Sequence, residues 1–253
     1  MKFDNRAALV TGSGRGIGKT IALRLAKEGA AVVTNARHAE TAERTAEEIR
    51  SAGGRALSIA ADVSKPDEVN EIFGRATEEF GAIEILVNNA GICPFLPLPQ
   101  ITPEIWNDMI GVDLSGVFYC SQAYARHFIE AGKGDGRIVN ITSISGERVT
   151  NPELQIAYCT AKGGANMLTK ALAVALAPHR ITVNAILPGT IRTEINEEDL
   201  ADPATANRIL DHTPLRSFGE TGDVAALVSF VASSEAAWMT GALLVVDGGY
   251  ILV

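Results

Sequence analysis

A tyrosine and a lysine stand four residues apart in Ile156-Ala157-Tyr158-Cys159-Thr160-Ala161-Lys162-Gly163-Gly164. On a helix, that spacing puts a phenol and an ammonium on one face. A surface helix can carry such a pair without purpose, so the rest of the chain decides whether the phenol is a proton carrier. A second chemical signal lies near the N-terminus. Thr11-Gly12-Ser13-Gly14-Arg15-Gly16-Ile17-Gly18 follows the apolar run Ala7-Ala8-Leu9-Val10 and opens an amphipathic stretch. Glycines between a strand and a helix permit a tight turn. They also bring backbone N–H groups close to a pyrophosphate at the positive end of the helix. With Gly12, Gly16 and Gly18 as the working glycines, this segment predicts a dinucleotide site.

The end of the second strand should select the cofactor. A carboxylate there would bond a ribose 2′-hydroxyl and repel a 2′-phosphate. The chain instead offers Asn35-Ala36-Arg37-His38, where Arg37, together with Arg15, can pair with a phosphate. NADP is therefore the preferred cofactor, with NAD use still possible.

These residues need a frame, and the hydropathy pattern supplies one. Apolar runs at Ala7–Val10, Ala30–Asn35, Leu57–Ala60, Ile83–Val87, Arg137–Ile141, Thr182–Leu187 and Ala242–Val246 read as strands. Between them, Gly16–Glu28, Ala39–Ala52, Asp67–Phe80, Trp106–Glu130, Leu154–Ala177 and Asp223–Ser233 read as helices. Short apolar strands alternating with helices predict an α/β fold, a doubly wound parallel sheet covered on both faces. No linker or repeat divides the chain, so a single domain over residues 1–253 is expected. One insertion, Pro188 to Pro214, is long, polar and irregular, which suggests a lid over a site.

Composition narrows the function classes. The 253 residues are 47% hydrophobic and 21% charged, which is globular and leaves ample material for a core. A net charge of -8 with no basic stripe argues against a nucleic-acid partner. No apolar run is long enough to span a bilayer, and Met1-Lys2-Phe3-Asp4-Asn5-Arg6 lacks the plan of a signal peptide. Cys93, Cys120 and Cys159 are too few and too scattered for a zinc site or a disulfide framework. A cytoplasmic protein with no metal and no membrane contact is expected.

Taken together, TGSGRGIG, Asn88-Asn89-Ala90-Gly91, the Tyr158/Lys162 pair, Pro188-Gly189 and Asp247-Gly248-Gly249 resemble the short-chain dehydrogenase/reductase family, in its order and spacing and over the whole chain. The resemblance implies a Rossmann-type domain with a seven-stranded sheet, assembled as a homotetramer. It makes Tyr158 the general acid/base and Lys162 the group that binds the nicotinamide ribose and lowers the phenol's pKa. Ser13, Ile17, Ala90 and Gly91 fall within its cofactor motifs, Asn89 on the ribose side, and Asp62-Val63 at the adenine. Pro188 and Gly189 lead to Ile191 and Thr193, which match positions at the nicotinamide carboxamide. A serine should hold the substrate oxygen. The strand end favours Ser143, whereas the family's usual spacing favours Ser145, thirteen residues before the tyrosine. One departure stands out: the family's asparagine in the central helix is Asp113 here, where the implied role is to hold a water that links the lysine to solvent.

The substrate wall is expected from Ile92-Cys93-Pro94-Phe95, the loop Gly146 to Gln155 and the lid. "GICPF" and "LPGTIRTEINEEDLADP" resemble the family's sugar 1-dehydrogenases of the L-rhamnose and glucose types. Besides Cys93, Phe95 and Ser145, the polar groups of Glu147, Arg148, Asn151, Gln155 and Asn196 suit a polyol better than a lipid. The expected reaction is hydride transfer between a nicotinamide cofactor and a small alcohol or carbonyl substrate, a sugar oxidised at C1 to its lactone. A 3-oxoacyl-thioester or small-ketone reductase is the alternative, and a non-catalytic dinucleotide sensor a third reading.

Overall fold

The computed structural model describes residues 1–150 and 155–253. Nine strands occur among them: β1 (Ala7–Val10), β2 (Ala31–Ala36), β3 (Ala56–Ala60), β4 (Ile85–Asn88), β5 (Gly136–Ile141), β6 (Ile181–Pro188), β7 (Ile191–Arg192), β8 (Gly219–Glu220) and β9 (Leu243–Val246). The helices are α1 (Gly16–Lys27), α2 (Ala39–Ser51), α3 (Pro66–Phe80), α4 (Pro103–Ile110), α5 (Gly116–Glu130), α6 (Ile156–Leu176), α7 (Glu197–Ala201), α8 (Pro203–Asp211) and α9 (Thr221–Val231). Seven strands form one sheet in the order β3-β2-β1-β4-β5-β6-β9, and every neighbouring pair is parallel. The α/β, Rossmann-type architecture expected from the apolar runs is therefore present.

Strand alternation distributes the core. Ala7 and Leu9 point into a cluster with Ile72 and Phe73 of α3, Tyr124 and Phe128 of α5, and Leu176 of α6. Ala8 and Val10 point the other way, toward Ile21 and Leu25 of α1 and Val224 and Val228 of α9. Both faces of the sheet are thus covered by helices, as an all-parallel sheet requires. The chain winds outward in opposite directions from β1 and β4, so a crevice opens at the carboxyl ends of these two strands, where α/β folds bind ligands.

Two elements differ from the sequence reading. The helix expected from Trp106 to Glu130 is α4 and α5 joined by a π-helical turn, Gly111–Ser115. Such turns add one residue to the coil, and hydropathy does not mark them. The insertion after Pro188 is not irregular: it holds β7, α7 and α8, and β7 pairs with β8 just beyond it. Neither of those helices buries a residue. Proline and an aspartate cap start α8, with Asp202 accepting from the N–H groups of Ala204 and Thr205. Local capping, not core packing, makes this segment helical.

Candidate active site

The glycine loop is fastened from two sides. Ser13 donates its N–H to Asn35 O at 2.8 Å, and its hydroxyl accepts from Asn35 N at 2.9 Å. On the other side, Asn89 Nδ2 donates to Thr11 O at 2.9 Å and Gly12 O at 3.0 Å. The Thr11 hydroxyl in turn accepts from the N–H groups of Asn89 and Ala90. The Asn89 amide thus holds the loop against β4 rather than reaching outward. Thr11, to which the sequence reading gives no role, is the other half of that clasp; its only signal was its place at the strand end.

Three of the loop's glycines are required by close approach, Gly14 because a Cβ would lie 2.4 Å from Thr41 Cγ2. A Cβ on Gly12 would lie 2.7 Å from Ala90 Cα, and one on Gly18 would lie 2.4 Å from Gly12 O. Gly16 is different: its φ of +54° suits glycine, and the space before it leads to Thr193, 3.5 Å from where a Cβ would stand. No side chain caps α1. Among the described residues, the N–H groups of Gly16, Ile17 and Gly18 donate to no other group. An uncapped helix end behind a tight glycine turn fits a dinucleotide pyrophosphate.

The remaining cofactor candidates surround this loop. Arg15 and Arg37 are both exposed, and neither has an ion-pair partner among the described residues. Asp62 accepts from Ser64 N and Ser64 Oγ through Oδ1. Val63 is buried against Gly116, where α5 begins. Buried Pro188 ends β6, and Gly189 passes so near Asp247 that a Cβ would sit 2.8 Å from its Cα. Beyond them, Asn196 folds back on the lid: its Nδ2 donates to Ile191 O at 2.8 Å and its Oδ1 accepts from Thr193 N at 2.9 Å. Asn196, expected on the substrate wall, instead fixes the Ile191–Thr193 turn.

Tyr158 and Lys162 lie one turn apart on α6, as their spacing requires, with the ammonium 5.4 Å from the phenol ring centre. The small residues that follow have a structural reason. A Cβ on Gly164 would stand 2.9 Å from Leu114 Cδ2 in the π turn, and one on Gly146 would meet Lys162 O at 2.8 Å. Glycines at these contacts let α6 press against both the π turn and the loop after β5. That approach brings Asp113 to Lys162, where Oδ2 and Nζ are 3.0 Å apart. Asp113 is fully buried and Lys162 is 4% exposed. The lysine also donates to Ile141 O at 3.3 Å, and Asp113 Oδ1 accepts from Ile92 N at 2.8 Å. Asp113, whose implied role is to hold a water linking the lysine to solvent, thus makes a direct ion pair with that lysine. Removing one partner of a buried pair typically costs about 3–5 kcal/mol, because the other charge is left uncompensated.

Ser143 stands near enough to the Tyr158 phenol to lower its pKa, the last of the influences on it. Its hydroxyl also accepts from Ser145 N at 3.0 Å. The Ser145 hydroxyl points elsewhere, to Thr150 Oγ1 at 3.0 Å, which continues to Gln155 Oε1 at 2.9 Å. Tyr158 is half-buried by surface area yet densely surrounded by protein. Burial pushes the phenol's pKa up, Lys162 pulls it down, Cys93 and Asp113 push it up again, and Ser143 lowers it; the net direction is up. The lysine does lower the phenol, as expected, but burial outweighs it in the protein alone. Burial also depresses Lys162, yet Asp113 and Tyr158 more than offset it, and its net direction is up.

Of the other wall residues, Cys93 lies near enough to feel Asp113 and Lys162, and burial pushes its thiol up to about 12. Phe95 is exposed. Glu147 accepts from Asn166 Nδ2 at 3.0 Å. Arg148 donates to the carbonyls of Tyr250 and Val253, which ties it to the C-terminal segment instead of the crevice. Asn151 lies outside the described residues. Among the described residues, no His, Cys, Asp and Glu cluster suits a metal, and no helix is long and apolar enough to cross a membrane.

A family model described as enoyl-(acyl carrier protein) reductase matches residues 12–251. An L-rhamnose 1-dehydrogenase (NAD(P)(+)) from Azotobacter vinelandii is 39% identical, covering 98% of both chains. A 3-oxoacyl-[acyl-carrier-protein] reductase from Staphylococcus epidermidis is 41% identical over 97% of this chain and 98% of its own. The crystal structure of a gluconate 5-dehydrogenase from Burkholderia cenocepacia, in complex with NADP and tartrate, superposes with a TM-score of 0.93. It is 37% identical and is matched over 100% of this chain and 98% of its own. With a family model over residues 12–251 and full-length likeness of this degree, on a seven-stranded parallel sheet that carries the glycine turn and the Tyr158/Lys162 pair, the chain belongs to the short-chain dehydrogenase/reductase family.

Proposed function

We propose that this oxidoreductase oxidises a sugar at C1 to its lactone, with Tyr158 as the proton carrier. The observation that carries the reading is the Tyr158/Lys162 pair, with Ser143 acting on the phenol and with Ala90 and Gly91 packed between Lys162 and Gly12 of the glycine turn. NAD(P), when bound, supplies the hydride acceptor. Ser143 holds the substrate oxygen, Tyr158 takes the hydroxyl proton, and Lys162 stabilises the phenolate that receives it. The exposed guanidinium groups of Arg15 and Arg37, with no carboxylate at the end of β2, support NADP as the preferred cofactor, with NAD also used. Sugar specificity is supported by the L-rhamnose 1-dehydrogenase relative.

Residues 188–214 act as the lid of a single NAD(P)-binding domain, a role supported by helices that bury no residue. A cytoplasmic homotetramer is proposed, in keeping with three free cysteines and with apolar side chains exposed on α5 (Phe118, Ile129) and α6 (Met167, Val174). One observation favours a second reading, reduction of a 3-oxoacyl thioester: the 41% identity to the Staphylococcus epidermidis reductase. A panel of aldoses, polyols and 3-oxoacyl thioesters, each with NADP(H) and NAD(H), separates the two by nicotinamide absorbance. Turnover of aldoses is expected; turnover of thioesters alone would replace the first reading by the second.

A further inference from the structure

In Asp113 the chain has a charged side chain where its family expects a neutral one, and the charge is not left to water. Its two oxygens reach two different parts of the site: Oδ2 meets Lys162 Nζ at 3.0 Å, and Oδ1 receives the N–H of Ile92 at 2.8 Å. The fit is close on the remaining side as well, since a Cβ on Gly91 would stand 2.9 Å from Oδ2 and 3.5 Å from Nζ. Asp113 and Lys162 are both buried, so solvent screens neither charge. The π turn sets this geometry by carrying the carboxylate into the gap between Gly91 and α6.

We propose that Asp113 is a positioning residue whose direct pairing with Lys162 sets the pH range of turnover and, through Ile92, fixes the start of the substrate wall. The inference rests on the reading of Tyr158 as proton carrier. The groups facing the phenol are few. Lys162 belongs to its own helix, Cys93 to the segment after β4, Asp113 to the π turn, and the neutral Ser143 to the loop after β5. Burial pushes the Cys93 thiol up to about 12, so it stays neutral well above neutral pH. The ion pair alone brings formal charge to the phenol. An asparagine at 113 would leave the ammonium uncompensated, and the phenolate would form at lower pH. The oxidation rate, which needs phenolate, would then rise at lower pH too.

The test compares wild type with Asp113→Asn and with Asp113→Asn/Lys162→Gln. Tyr158 is titrated by the near-ultraviolet absorbance of its phenolate, using Tyr158→Phe as the blank, with and without NADP. In Asp113→Asn the phenol should ionise at lower pH than in wild type. The rising limb of the alcohol-oxidation profile should move the same way, while KM for the alcohol stays within about twofold, since the amide oxygen still accepts from Ile92. Superimposable phenol titrations would overturn the proposal. Melting temperatures give an independent check: each single substitution, Asp113→Asn or Lys162→Gln, should lower Tm, and the double variant should recover part of the loss. Additive losses would also overturn it. Should Asp113→Asn fail to fold, a folded double variant supports the pair and an unfolded one overturns it. The two readings can fail separately. A titration that moves in a protein oxidising no alcohol would sink the dehydrogenase reading and keep the pair, whereas robust turnover with an unmoved titration would do the reverse.

Discussion

The glycine turn and the lid border the same crevice, but they are held by opposite means. Around the glycine turn, Thr11, Ser13, Asn35 and Asn89 form a closed set of hydrogen bonds on buried strand ends, and glycines fill contacts that no side chain could. In the lid, α7 and α8 have no fully buried residue, and beyond the two-residue β7–β8 pairing and buried Ile191 the turn that leads into them is tied by one asparagine side chain. The first region is preorganised and cooperative with the core, while the second is free to open at little cost to the whole fold. Changes in the first region should therefore affect binding and stability together. Changes in the second should affect substrate handling while leaving stability nearly unchanged.

The largest expected effect lies between the two regions. Tyr158→Phe should lower turnover by roughly 100- to 10,000-fold, the usual contribution of a positioned acid/base, while NADP affinity persists. Rates and cofactor titration on the same preparation check this. Substantial remaining activity would move proton transfer to another group, and Lys162 would lose its stated purpose. Within the same cluster, Ser143→Ala should cost more in kcat than Ser145→Ala, because the Ser143 side chain adjoins the phenol whereas the Ser145 hydroxyl is turned toward Thr150. The reverse order would restore Ser145 as the serine at the substrate oxygen.

Next in size is Gly18→Ala. The new methyl would stand 2.3 Å from Asn89 Nδ2 and 2.4 Å from Gly12 O, so either the clasp or the helix must shift. Overpacking of this kind costs about 1–3 kcal/mol. Melting temperature and NADP affinity should fall together. An unchanged Tm with lost affinity would show that the turn is less coupled to the core than its hydrogen bonds imply.

These contrasts explain what the sequence could and could not reveal. The seven sheet strands were legible because each is an apolar run bounded by polar turns, and Gly12 and Gly18 because tight strand-to-helix turns exclude Cβ. The π turn at Gly111–Ser115 was not, since one additional residue in a coil leaves the apolar pattern nearly unchanged. Consequently the Asp113–Lys162 pair was hidden: residues 49 positions apart meet only because Gly164 and Gly146 admit α6 so closely. The lid helices were illegible for a different reason. At five and nine residues, α7 and α8 are too short for an apolar stripe to repeat and stand out in the sequence. The polar wall residues divided along the same line, because a polar side chain on a loop does not reveal whether it faces a ligand or, like Asn196 and Arg148, its own backbone.

Cofactor choice sharpens the comparison at the outer edge of the preorganised region. Arg37→Asp should weaken NADP about tenfold or more, by losing a charge-assisted bond worth about 1.5–3 kcal/mol and adding repulsion, and should spare NAD. Arg37 is exposed, so stability should scarcely change. Equal losses for both cofactors would mean that the residue does not read the phosphate.

The smallest effect on the fold, and the most direct probe of the lid, is Asn196→Ala. It removes the acceptor for Thr193 N and Thr193 Oγ1 and the donor to Ile191 O, and so frees the turn that follows Pro188-Gly189. Nothing buried in α7 or α8 depends on that turn, so global stability should change by less than about 1 kcal/mol. Closure over the crevice should suffer instead. KM for the alcohol should rise several-fold, while the pH profile keeps its shape because the groups around Tyr158 are untouched. Limited proteolysis gives the structural readout: cleavage within residues 188–214 should quicken in the variant, and saturating NADP should slow it in both proteins. A large fall in Tm would show that the segment belongs to the cooperative core. An unchanged KM with unchanged proteolysis would show instead that the Ile191–Thr193 turn holds itself without Asn196, and the contrast between a fastened glycine turn and a loosely hung lid would fail at its weaker end.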